Sequence, residues 1–418
     1  MPSIDNASQV SNYGKTKLVI LASVVLRLGV VELFPALPAL LQHRPEITTT
    51  ATSFKQLKEG LYLYRAGQDA YDGGVFHQSP LLLVLFNYIG RISLIFSPEL
   101  FIGLFFACLD VVTARSFCSI ARSPRLADKQ RLPQWAIAAI YLLNPIIILT
   151  NIARSTALIS NAAVVLAIAH TCNENFLFSA LFLALGVQLN FYVVYIIPPL
   201  ILLWHSTPSA GNPKGLVLKN TLTFCAFSAL FIGAGILITG SCGYLSATTG
   251  FTLKFEDLLP NMGLWWYFFL EMFDFFRPFF THIFQLYSLI YVFPITIRLQ
   301  KQPLFAITTI VGITAISKSY PEIGDLGLYI SFLSLFKFIF PNVQYAFFAG
   351  LVILHSFVLA PNFYHLWIYL GSGNANFFYA ITLVYTIGLT IIITDTLRAS
   401  LQLEFDGGKN PEKSVVQI

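Results

Sequence analysis

The chain has 418 residues, 56% of them hydrophobic and only 11% charged, with a formal net charge of +5. That balance excludes a soluble globular protein and points to one embedded in a bilayer. The basic residues sit in short loops, where they set membrane topology, and they form no tract of the kind that binds nucleic acid.

Residues 1–17 are polar and carry Lys15 and Lys17, which places them in the cytosol. The sequon Asn6-Ala7-Ser8 then lies on the wrong side for glycosylation. An apolar run over 18–41 is too long for a signal-peptide core and reads as a first span. A polar luminal loop, 42–79, follows. Within it Ser53-Phe54-Lys55-Gln56 fits a capping box, and Phe54, Leu57, Leu61 and Tyr64 recur at helical spacing up to Gly67. This predicts an amphipathic helix on the membrane surface, with Lys55, Lys58, Glu59 and Arg65 toward water.

The stretch AYDGGVFHQSPLLL from Ala70 is a polar hinge, carried by Tyr71, Asp72, His77, Ser79 and Pro80. Segment 80–96 is short, opens on proline and contains Asn87 and Arg91. Loop 118–134, with Arg122, Arg125, Lys129 and Arg131 against Asp128, is the strongest cytosolic signal in the chain. Both facts make 80–96 a luminal re-entrant helix rather than a crossing. Spans then fall near 98–117, 135–151, 156–172, 176–189, 190–204 and 221–239. Five more lie near 280–297, 304–317, 324–340, 343–360 and 377–397. The expectation is an all-α polytopic protein of about twelve transmembrane helices, one membrane domain over 18–403, and a polar cytosolic tail over 404–418.

Arg27 and Glu32 lie inside the first span and Asp110 inside the second. Intramembrane charges normally face the interior and pair, so structural pairing is favoured over a polar cavity. The cysteines at 108, 118, 172, 225 and 242 form no C-x-x-C pair and read as small hydrophobes. No metal or cofactor site is apparent.

Beyond the first loop, the luminal segments are 240–279, 318–323 and 361–376. The run from Pro260 to Phe276 includes Trp265, Trp266, Glu271, Phe273, Asp274, Phe275 and Phe276, with Glu271 and Asp274 spaced to share a helical face. Lys318 to Asp325 forms a further polar cluster. The run from His365 to Tyr379 includes Trp367, Asn374 and Asn376. Aromatic rings beside amides and acids suit a sugar or amine ligand. The same residues also suit blander roles: Trp and Tyr as interfacial anchors, the acids as solvated groups, Asn374 and Asn376 as helix caps.

The first span, long luminal loop and Ser-Pro-Leu-Leu hinge resemble the GT-C glycosyltransferases of the endoplasmic reticulum, especially the mannosyltransferase that adds the first mannose to the glycosylphosphatidylinositol (GPI) precursor. Those enzymes carry early luminal acids, and the equivalent positions here are Ala51, Thr52 and Ser53. Several long segments, among them YLLNP from Tyr141, PNMGLWWYFFLEMFDFF from Pro260, KSYPEIGDLGLY from Lys318 and HLWIYLGSGNANFFYAITL from His365, more closely resemble the PIG-U subunit family of GPI transamidase. That resemblance implies a GT-C-like fold without catalysis in the endoplasmic reticulum membrane. It implies partners too: other transamidase subunits including a catalytic cysteine-peptidase-like one, the GPI lipid, the C-terminal signal of precursor proteins and membrane lipids. It also implies lipid recognition around Glu271–Phe276. The rival readings are an active dolichol-phosphate-mannose-dependent mannosyltransferase using Glu46 or Asp69 as base, and a transporter or scramblase using the break within 176–204.

Overall fold

The computed structural model describes residues 3–92, 98–126, 131–207 and 211–407, with side chains from residue 12 onward. Among these residues there is no β-strand. In chain order the helices are α1 (Ser3–Leu33), α2 (Leu37–Gln42), α3 (Phe54–Arg65), α4 (Pro80–Ile92), α5 (Pro98–Arg122), α6 (Gln134–Leu142), α7 (Pro145–Ile152) and α8 (Ala157–Cys172). Then come α9 (Phe176–Leu189), α10 (Ile197–His205), α11 (Pro213–Thr239), α12 (Phe251–Lys254), α13 (Trp265–Leu270), α14 (Arg277–Ile290) and α15 (Val292–Arg298). The series ends with α16 (Pro303–Ser317), α17 (Ile323–Leu333), α18 (Ala346–Tyr364) and α19 (Ala375–Phe405).

Among the described residues, five helical stretches are long and apolar enough to cross a membrane: Pro98–Arg122, Pro213–Thr239, Arg277–Arg298, Ala346–Tyr369 and Ala375–Phe405. A sixth is counted if α6 and α7, bent by 50° about Asn144-Pro145, act as one. Pro145 has no N–H to continue the helix, and the Asn144 side chain instead caps α7 by accepting from the Ile146 N–H. The first expected span is interrupted: Pro35 follows the end of α1, and the chain restarts as α2. Helices α8, α9, α16 and α17 have 16, 14, 15 and 11 residues, shorter than the roughly 20 that a straight crossing takes. The expected span 324–340 therefore breaks after Leu333. Asn190 separates α9 from a 3₁₀ turn, Phe191–Ile196, that leads into α10, as the 176–204 sequence suggested. Helix α19 continues through Glu404, which pairs with Arg298 at 2.9 Å. Most of the expected tail, the centre of loop 118–134 and the sequon side chains lie outside the described residues.

Two of the three charges expected inside the membrane pair within the bundle, and Glu32 does not join them. Arg27 and Asp110 meet at 2.9 Å with side chains 2% and 1% exposed. The Tyr141 hydroxyl donates to Asp110 Oδ1 and the Asn151 amide to Oδ2. Helices α1, α5, α6 and α7 are thus tied at one buried point. Glu32 is exposed at the end of α1.

Contacts between distant segments gather the expected luminal clusters at one end. Ile323 N–H donates to the Glu46 carbonyl, Thr156 to Thr52 and Gln78, His77 meets the Ala247 carbonyl, and Trp265 Nε1 donates to the Ser317 carbonyl. Elsewhere the basic loops meet one another's neighbours, with Arg125 on the Leu203 carbonyl and on Thr207.

Candidate functional site

Helix α3 starts after Ser53 as expected, but no side-chain cap forms there. The Ser53 carbonyl accepts from Gln78 Nε2 at 2.7 Å instead, which fastens the helix start to the hinge. Gly67, at φ +74°, ends α3: its N–H meets the Tyr64 carbonyl and that of Gln68 the Leu63 carbonyl. The apolar face of α3 is covered by protein at its start. Phe54 and Leu57 are buried against Phe76, Phe86 and Phe106, because the hinge folds α4 back over them. Lys55, Lys58, Glu59 and Arg65 are exposed, as expected.

Each hinge residue has a mechanical part. The Tyr71 hydroxyl donates to the Gln78 carbonyl at 2.7 Å. Asp72 is exposed in the turn that Gly74 closes at φ +62°. His77 stacks on Phe251 with centroids 3.6 Å apart, and both ring nitrogens face carbonyls, those of Ala247 and Gly74. Ser79 is buried, and Pro80 opens α4.

The two aromatic clusters meet. Trp266 is fully buried, and its ring lies 6.0 Å from Trp367. Tyr267 stacks on Tyr379 at 4.6 Å, and its hydroxyl donates to Asn376 Oδ1. Trp265 is buried, with its Nε1 on the Ser317 carbonyl. Asn374 caps α19, accepting from the Phe377 N–H, so the cap reading holds for it. Glu271 and Asp274 do not share a helical face: α13 stops at Leu270, Glu271 is its C-cap, and Asp274 lies in the turn before α14 begins at Arg277. Phe273, Phe275 and Phe276 stand exposed at 80%, 86% and 48%.

Next to this face lies an apolar chamber of about 660 Å³ between α2, α7 and α18. Leu41, Ile146, Leu149 and Phe357 line it, with His365, Tyr369, Arg44 and Glu46 among its polar lining residues. Arg44 grips Glu46 with two nitrogens, at 2.9 and 3.2 Å. Burial raises the Glu46 carboxyl above its ordinary range, against the pull of Arg44.

Lys318 to Asp325 is structural. Glu322 and Asp325 form a reciprocal capping box at the start of α17. Lys318 holds Asp325 at 2.6 Å, while Ser155 and Thr52 donate to Glu322. Burial, reinforced by the Asp325 charge, pushes Glu322 up to about 8. Beside this knot lies a polar cavity whose lining includes Thr52, Ser79, Ser160, Asn161, Asn190 and Lys318, with no carboxylate. Ser160 and Asn161 went unnoticed in the sequence. A polar pair inside an apolar span was the available signal.

Comparison with known proteins agrees with this arrangement. The family described as GPI transamidase subunit PIG-U matches residues 21–385. The GPI transamidase component GAB1 of Saccharomyces cerevisiae is 34% identical over 402 residues, 96% of this chain and 98% of that protein. The GAB1 homolog of Schizosaccharomyces pombe is 35% identical, covering 87% and 88% of the two chains. The human GPI-anchor transamidase component PIGU is 32% identical, covering 93% and 94%. The family match and the relatives together cover most of the sequence: this chain is a member of the PIG-U family of GPI transamidase subunits.

Proposed function

We propose that this chain is a non-catalytic subunit of the GPI transamidase complex, which positions the GPI lipid, the C-terminal attachment signal, or both, for transfer to precursor proteins. It resides in the endoplasmic reticulum membrane with a GT-C-like arrangement of about twelve crossings, the shorter apolar helices completing the bundle. Helix α4 is its re-entrant element: it opens on Pro80 and the hinge folds it back over α3, with Phe86 against Phe54. Other subunits, including a cysteine-peptidase-like one, carry the chemistry.

The observation that carries the siting is the meeting of Trp266 with Trp367 and of Tyr267 with Asn376, next to the apolar chamber. His365 and Tyr369 belong to the chamber lining, and Trp367 between them to the aromatic face. An amphiphile is served on both counts, with acyl chains in the chamber or on the exposed Phe273–Phe276 rings and a glycan along the aromatic–amide face. Holding the reacting amine in place contributes to rate by orientation alone.

Two observations weigh against the mannosyltransferase reading. Glu46 is engaged by Arg44 and lines the apolar chamber, not the polar cavity. Asp69 is exposed and accepts from the Tyr71 N–H. Ala51 and Thr52 do line the polar cavity, but no acid is among its lining residues, and the carboxyl that Thr52 meets, Glu322, is tied up in the capping box of α17.

The test is mass spectrometry of proteins and lipids that co-purify with the tagged chain in mild detergent. Recovery of a cysteine-peptidase-like partner together with GPI is the expected result, and recovery alone or with dolichol-phosphate mannose refutes the reading. For the siting, alanine at Glu271, Asp274 and Asn376 together should abolish GPI retention. Unchanged retention places the ligand elsewhere.

A further inference from the structure

The polar cavity is a second site, independent of the aromatic–amide face. It forms where the hinge, the first turn of α8, the break at Asn190, the turn before α12 and Ser319 converge. Its enclosed part measures about 60 Å³, room for about five waters or for the hydroxyl-bearing edge of one ring. Ser79 Oγ, Ser160 Oγ and Asn161 Nδ2 have no hydrogen-bond partner among the described residues. Their residues are only 3%, 4% and 7% exposed. An unpartnered buried polar atom is costly, and three lining one cavity, from two separate elements, mark a place shaped to be filled.

The lining selects the ligand. Lys318 is its one ammonium, and Asp325 already holds that charge at 2.6 Å. No carboxylate lines the cavity, so a cation finds no counter-charge, and a phosphate finds no free one. What remains are hydroxyls, which both give and accept, and a carboxamide that donates. His77 and Tyr320 also line it, and each is fixed by stacking on Phe251, at 3.6 and 5.1 Å with planes within 5°. Neutral hydroxyl and carboxamide donors beside fixed ring side chains match the hydroxyl-rich edge of a pyranose or cyclitol.

We infer that the cavity bounded by Ser79, Ser160, Asn161, His77 and Tyr320 binds the hydroxyl-bearing edge of one neutral sugar or cyclitol ring. The ring belongs either to a glycolipid headgroup or to a free sugar.

The test uses the full chain with its associated subunits in phosphatidylcholine nanodiscs, which contribute no sugar. Saturation-transfer NMR is recorded with methyl α-mannopyranoside, myo-inositol and phosphocholine. Saturable transfer to one of the two rings, and none to phosphocholine, is expected. Asn161→Leu should weaken binding at least tenfold while the melting temperature stays level or rises, because the lost donor supports no fold contact. Should Asn161→Leu fail to fold, the paired change Ser79→Ala and Ser160→Ala carries the same expectation. The triple alanine variant at Glu271, Asp274 and Asn376 should leave ring binding intact, which separates this site from the GPI siting. A glycolipid retained by the wild type and lost from Asn161→Leu assigns a lipid-borne ring; ring binding without such a lipid assigns a free one. Absence of saturable ring binding, meaning a cavity filled by water alone, overturns the inference. So does preference for phosphocholine, or binding that survives both sets of cavity substitutions.

Discussion

Replacing Asp110 by leucine tests whether the buried charge pair organises the bundle. In the native chain Asp110 Oδ2 receives Arg27 Nε at 3.0 Å and Asn151 Nδ2 at 2.7 Å, and Oδ1 receives the Tyr141 hydroxyl at 3.0 Å. Leucine strands Arg27 with only the Ser23 and Leu142 carbonyls, at 3.2 and 2.9 Å. Removing one partner of a buried pair costs about 3–5 kcal/mol. Insertion scales put an unpaired arginine at the centre of a membrane helix at about 2.5–3.5 kcal/mol, so the two routes agree. The orphaned Tyr141 hydroxyl adds about 1–3 kcal/mol, whereas Asn151 keeps the Phe106 carbonyl at 3.0 Å. The double variant Arg27→Met, Asp110→Leu removes the stranded charge and leaves the Tyr141 hydroxyl and the Leu142 carbonyl without their partners, about 1–3 kcal/mol each. The assay is equilibrium unfolding by sodium dodecyl sulfate in mixed micelles, followed by circular dichroism. The reasoning is refuted if Asp110→Leu unfolds within about 1 kcal/mol of the wild type, since surface-like tolerance contradicts a buried pair. It is equally refuted if the double variant is no more stable than the single.

Three further outcomes are expected. Glu322 keeps its proton to about pH 8 when folded, against an ordinary value of 4.5. The folded state therefore holds the extra proton between those values, and stability, full below about 4.5, falls as pH rises toward 8. Melting temperatures from pH 5 to 8 should show that decline, and Glu322→Gln should flatten it; an unchanged slope counts against the assignment. Gly60→Ala puts a methyl within 2.5–3.0 Å of three Phe76 ring carbons. Overpacking of about 1–3 kcal/mol then outweighs the helix-propensity gain of about 1 kcal/mol, read as a lower melting temperature. Phe275→Ser, at a ring 86% exposed, should leave stability within about 0.5 kcal/mol and reduce lipid retention on purification; full retention removes that ring from the lipid site.

The sequence by itself determined the membrane class, the hinge, the end of α3 at Gly67, the break at Asn190 and the pairing expected of Arg27 and Asp110. Those features follow from apolar run length, the backbone freedom of glycine, the missing N–H of proline and the cost of bare charge in hydrocarbon, all local properties. Family membership was legible too, because long segments matched in order. Only the tertiary structure decided the rest. It covered the apolar face of α3 with Phe76 and Phe86, where periodicity alone cannot tell a protein neighbour from a lipid one. It stopped α13 at Leu270 and so parted Glu271 from Asp274, which their spacing had joined. It brought Trp266 to Trp367 across about a hundred residues, and Ser79 to Ser160 and Asn161. Such meetings depend on which helices pack together, and no local pattern in the chain encodes that.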